Sequence, residues 1–153
     1  MCYLNVKGLR TLAMGEAPAL VPNTSGTDGM PRIGQELGRG AEGVIYEDLD
    51  QPGWVVKEFH QGGTSPFQAR NEFQSLERAR AIRPDNVVKA QAPADQRQGF
   101  LVKEQVLPTD VPPDLAERTQ VLRDFLPQIP DADGNLMWGV TVDNLTPRWL
   151  LIE

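Results

Sequence analysis

From residue 33 onward the apolar positions come in short runs, separated by glycine, proline and acidic turns. Ile33–Tyr46 carries apolar and β-branched residues on both sides of a glycine-rich turn. Trp54-Val55-Val56-Lys57-Glu58-Phe59 follows a polar turn over 48–53. Runs of this length and composition predict three strands in succession. After a loop over 60–66 the period changes. Ala69, Phe73, Leu76 and Ala79 or Arg80 recur at three- and four-residue steps, which predicts a helix over 67–82 that Pro84 stops. Thr64 or Ser65 can cap its start, with Pro66 in the first turn. Asn86–Ala90 predicts a short strand, and Gly99–Leu107 belongs to a second hairpin. Beyond the proline-rich link 108–113, Leu115, Thr119, Leu122, Phe125, Leu126 and Ile129 share one face of a helix over 114–129, with Asp114 as its cap. Residues 130–135, including Asp131 and Asp133, read as a plain turn, and Trp149–Ile152 as a strand.

The first 30 residues lack such a pattern. Ala17–Met30 is rich in Pro, Gly, Ser, Thr and Asn and reads as a linker, either a mobile arm or a segment that docks on the domain or a partner. The expected organisation is an arm over 1–30, a strand-rich unit over 31–107 and a smaller unit over 108–153.

Charge and composition narrow the chemistry. A formal net charge of −6 argues against a sequence-independent nucleic-acid binder, which needs a basic face. Cys2 and His60 are the only residues of their types, so an intrachain disulfide is excluded and a His/Cys metal site disfavoured. His60 reads as a surface residue. No run approaches the ~18 apolar residues of a membrane span, and the N-terminus lacks the pattern of a secretory signal. A reducing, cytoplasmic setting is expected, or delivery into a target cell by a signal not readable here.

Gly38, Gly40 and Gly43 have the spacing G-x-G-x-x-G. A dinucleotide-binding fold would continue into a helix. Here Val44-Ile45-Tyr46 continues as a strand, and Lys57 lies on the strand after that. Glu72 follows in the predicted helix, 15 positions after Lys57. Leu101-Val102-Lys103-Glu104-Gln105-Val106 closes the second hairpin. In this order the features resemble the N-lobe of protein kinases, in particular the minimal kinases of bacterial effectors and toxins.

The resemblance implies an α+β, protein-kinase-like fold over 33–153. Its N-lobe would hold a five-stranded antiparallel sheet and one helix, followed by a reduced, mainly helical C-lobe. It implies ATP and Mg²⁺ as cofactors. Gly38, Gly40 and Gly43 would let the backbone approach the phosphates. Lys57 would take the α/β-phosphates, with Glu72 holding it. Val44 or Ile45, with Val55 and Val106, would enclose adenine, whose edge the Glu104 carbonyl and Val106 amide would bind. Lys103 would occupy the gatekeeper position.

The catalytic end departs from the family pattern. Val142-Asp143-Asn144-Leu145 is similar to the end of the catalytic loop, which implies Asn144 as a metal ligand. Gly139 stands where the family has its catalytic aspartate. Asp143 is then the candidate base, or a metal ligand beside Asn144, and Glu153 the remaining metal carboxylate. Three readings stay open: an atypical phosphotransferase acting on a protein Ser/Thr hydroxyl, a pseudokinase-type binding module, and a toxin domain completed or silenced by a cognate immunity or chaperone protein. The implied partner is a host or target-cell protein.

Overall fold

The structure, a computed structural model of the chain, describes residues 29–60 and 65–153. Most of the expected arm, and Thr64 as a helix cap, lie outside the described residues. Five strands form one antiparallel sheet: β1 (Ile33–Arg39), β2 (Gly43–Asp48), β3 (Trp54–Phe59), β4 (Ala90–Gln91) and β5 (Phe100–Glu104). Their order is β1-β2-β3-β5-β4. Helix α1 (Ser65–Ile82) follows β3. The chain is therefore α+β, with the antiparallel sheet and single intervening helix expected for its first part.

Strand alternation explains how the site is assembled. Successive side chains on a strand point to opposite faces. Lys57 pairs with Ile45 on one side and Leu101 on the other, while Val55 pairs with Lys103. Val55, Lys57, Phe59, Leu101 and Lys103 thus share the face that α1 covers. Val56, Phe100 and Val102 point the other way and form a separate small cluster with Met30, Ile33 and Trp54. Residue 30, in the expected linker, therefore packs against the sheet. All of β5 is buried, as suits an interior strand.

Helix α1 turns Ala69, Leu76 and Ala79 into the main core, with Phe73 partly buried beside them. Glu72 lies on the same buried stripe. The expected strand over 86–90 is shorter than its apolar pattern suggested. Pro84–Asn86 forms a 3-10 turn, Val87 makes one bridge to Leu151, and only Ala90–Gln91 joins the sheet.

The region after residue 107 is not mainly helical. It contains α2 (Leu115–Phe125) and a hairpin of β6 (Leu136–Thr141) and β7 (Asn144–Leu151). The β-branched and aromatic content of these two runs decides for strands. Asp114 does cap α2, its side chain accepting from the Glu117 amide. The buried face of α2 is rotated from the expected one. Val121, Phe125 and Ile129 enter the core, whereas Leu115 is exposed. The hairpin joins the same core through Leu150 and Leu151. Backbone bonds between Leu107 and Val140, at 2.7 and 3.0 Å, tie it to the link after β5.

A lysine–glutamate cluster beneath the glycine turn

Residues 40–42 turn β1 into β2, closed by the Gly40 amide donating to the Gly43 carbonyl at 2.9 Å. Gly43 is required by packing, because a Cβ there would run into the Glu58 carbonyl oxygen. Gly38 and Gly40 face open space. His60 braces the turn from β3's end. Its amide donates to the Glu42 carbonyl at 2.8 Å, and Nε2 lies 3.1 Å from the Gly40 carbonyl. His60 is a partly exposed residue that adds this contact to the turn; a lone His in sequence does not reveal which turn it will meet.

Beneath the turn, Lys57 Nζ donates to Glu72 Oε1 at 2.7 Å, Glu42 Oε1 at 3.1 Å and Glu153 Oε1 at 3.5 Å. Lys103 Nζ donates to the other oxygen of Glu72 at 2.5 Å and to the Ile152 carbonyl at 2.7 Å. Both lysines and Glu72 are buried. Burial alone disfavours every charge here, and the partners decide the outcome. For Glu72, burial is outweighed by Lys103 and Lys57, which hold its carboxyl below the ordinary value. For Lys57, burial is outweighed by the carboxylates, Glu72 foremost, and its ammonium is held above the ordinary value. For Lys103, burial prevails over Glu72, and repulsion from Lys57 adds to it, so its ammonium lies below.

The remaining expected nucleotide residues are distributed along the same sheet. Ile45 and Val55 lie on the Lys57 face by strand register. Glu104 ends β5, its Oε1 accepting from the Lys89 amide at 2.8 Å, while Oε2 has no partner. Val106 is partly buried against the core. Gly139 packs beside it, where a Cβ would collide with the Leu107 carbonyl oxygen. Position 139 lies inside β6 and serves that close approach, not a catalytic loop.

Asp143 and Asn144 are not brought to Lys57. They form the tip of the β6–β7 hairpin, where Thr141 pairs with Asn144. Asp143 meets exposed Lys89 at 3.4 Å, and Asn144 accepts from the Thr146 amide at 3.0 Å. Strand β7 separates this tip from Glu153. At ~3.3 Å per residue its length is about 25 Å, so one ion cannot take both Asn144 and Glu153 as ligands. The hairpin corrects that pairing.

An asparagine does meet Glu153's end of the hairpin. The Asn135 carbonyl accepts from the Ile152 amide at 2.9 Å, where the two strands begin and end together. Asp131, four residues earlier, lines a cavity of 320 Å³ with Glu72, Glu153, Gln68 and Asn71. Residues 130–135 do form a turn, with a 3-10 segment over Ala132–Asn135. The β6–β7 register sets Asn135 opposite Ile152.

Oxygens of Glu42, Glu72 and Glu153 all lie within 4.8 Å of one another. The cation at their centre is the Lys57 ammonium, which contacts all three. Glu153, its side chain 37% exposed, offers the hard oxygen donor that Mg²⁺ takes. A buried cation beside a glycine turn also fits the phosphates of a nucleotide. No protein-family model matches the sequence, and no curated protein matches it.

Proposed function

We propose that the chain is a protein-kinase-like, ATP-binding domain that transfers phosphate to a Ser/Thr hydroxyl of another protein. The observation that carries this reading is the 2.7 Å ion pair between Lys57 and Glu72, built under a glycine turn. Positioning and charge neutralisation are what phosphoryl transfer chiefly asks of a protein.

In this reading Lys57 binds the α/β-phosphates and Glu72 keeps it aimed. Gly43 lets β2 pass close to β3 so that the turn overhangs Lys57. Ile45, Val55 and Val106 supply apolar surface for the base, with the Glu104 carbonyl and Val106 amide at its edge. Glu153 would hold Mg²⁺, which when bound neutralises phosphate charge. Asp131, rather than Asp143, accepts the proton of the attacking hydroxyl. The setting we propose is a bacterial effector or toxin acting on a target-cell protein, with a cognate immunity or chaperone protein as a further partner. This setting rests on the family resemblance alone.

The second reading is a binding module without transfer. The observation favouring it is the distance of Asp143 and Asn144 from Lys57, which leaves the expected catalytic-loop pair away from the cluster. The test uses labelled ATP, Mg²⁺ or Mn²⁺ and a generic protein substrate, alongside thermal shifts with ATP. Transfer lost in Lys57→Met, and reduced ~10²-fold or more in Asp131→Asn, supports the enzyme. A thermal shift lost in Lys57→Met without any transfer supports the binder. An unchanged ATP response in Lys57→Met rejects both.

A further inference from the structure

An ammonium has three N–H donors. Lys57 spends one each on Glu72, Glu42 and Glu153. A phosphate arriving at Lys57 must therefore take the place of a carboxylate, and the three are not held alike. Glu72 is buried, with its second oxygen on Lys103. Glu153 follows Ile152, whose amide is bonded to Asn135 and whose carbonyl is bonded to Lys103. Glu42 sits on the glycine turn with its side chain 53% exposed, and Lys57 is its ion-pair partner.

We propose that Glu42 is a built-in phosphate mimic: its carboxylate occupies Lys57 in the ligand-free protein and is displaced when a nucleotide phosphate binds. The proposal rests on the nucleotide reading of Lys57. Displacement needs only a side-chain rotation, because the Glu42 backbone stays anchored through its carbonyl to the His60 amide. Two lysines face three glutamates while Glu42 is in place. With Glu42 swung out, Lys57 and Lys103 match Glu72 and Glu153, and the phosphate replaces one anion with another. An ion pair with one exposed partner contributes little. Glu42 thus tunes affinity and does not bar the site.

The experiment is calorimetric titration of ATP, and separately of inorganic tripolyphosphate, into the full chain and into Glu42→Gln, Glu42→Ala and Glu58→Gln. Glu58 is an acid on the opposite face of β3 and controls for loss of one negative charge. Both Glu42 variants are expected to bind each ligand roughly two- to five-fold tighter, as removal of a weak competing ion pair implies, with Glu58→Gln unchanged. Unchanged or weaker binding by the Glu42 variants, beside measurable wild-type binding, overturns the proposal alone. An equal gain in Glu58→Gln also overturns it, since the effect is then long-range charge. Absence of binding by every protein overturns the nucleotide reading of Lys57, and the mimic with it.

Discussion

Lys103 and Lys57 grip opposite oxygens of one buried glutamate, Glu72, at 2.5 and 2.7 Å. The arrangement joins sheet, helix α1 and, through the Ile152 carbonyl, the end of the β6–β7 hairpin. Removing the shared anion should therefore cost more than removing one cation. Glu72→Gln leaves two buried ammonium groups without their common counter-charge and is expected to destabilise by ~3–5 kcal/mol. Lys103→Met leaves Glu72 paired with Lys57 and strips a donor from Ile152, at a cost of ~1–3 kcal/mol. Urea unfolding of both variants checks the order, and a smaller loss for Glu72→Gln would contradict it.

The same cluster predicts the pH dependence of stability. Glu72 has its carboxyl lowered in the folded state, so its contribution is present above the unfolded value, ~4.3, and is lost as pH falls through the folded one. Lys57 is raised, so its contribution is present below ~10.4 and is lost as pH rises through its folded value. Lys103 is lowered, so the penalty of its buried charge is relieved as pH rises through its folded value. In ¹⁵N-detected NMR of the lysine side chains, Lys103 should lose its proton before Lys57. The reverse order would contradict the burial-dominated account.

Gly139 is predicted to be irreplaceable for steric reasons. Alanine there sets a methyl group against the Leu107 carbonyl and Val106, across the backbone pair that ties β6 to the link after β5. Overpacking of this kind costs ~1–3 kcal/mol. A lowered Tm for Gly139→Ala checks it. Gly134→Ala, where a Cβ meets open space, should lose far less.

Asp143→Asn should be nearly silent. Its partner Lys89 is half exposed, as Asp143 is, and pairs of this type contribute ~0–1 kcal/mol. Stability and ATP response are expected to stay at wild-type levels, whereas Glu153→Gln weakens the Mg²⁺-dependent part of the ATP response. Equal losses in the two variants would return Asp143 to the site.

The sequence by itself determined the local units. β-branched runs around a glycine turn made strands, a 3.6-residue period made α1, and Asp114 capped α2. These follow from short-range sterics, capping and burial periodicity, which a linear pattern carries. It also held the spacing of Lys57 and Glu72, because strand alternation and helix period each decide which face a residue takes. The tertiary structure decided what meets across long separations. Glu42, Lys103 and Glu153 join Lys57 and Glu72 only through sheet register and the packing of the hairpin on the core. The same hairpin carries Asp143 and Asn144 to its far end and brings Asn135 beside Ile152. Pairing register is a property of two strands and of the core they share, so no single run of residues reveals it.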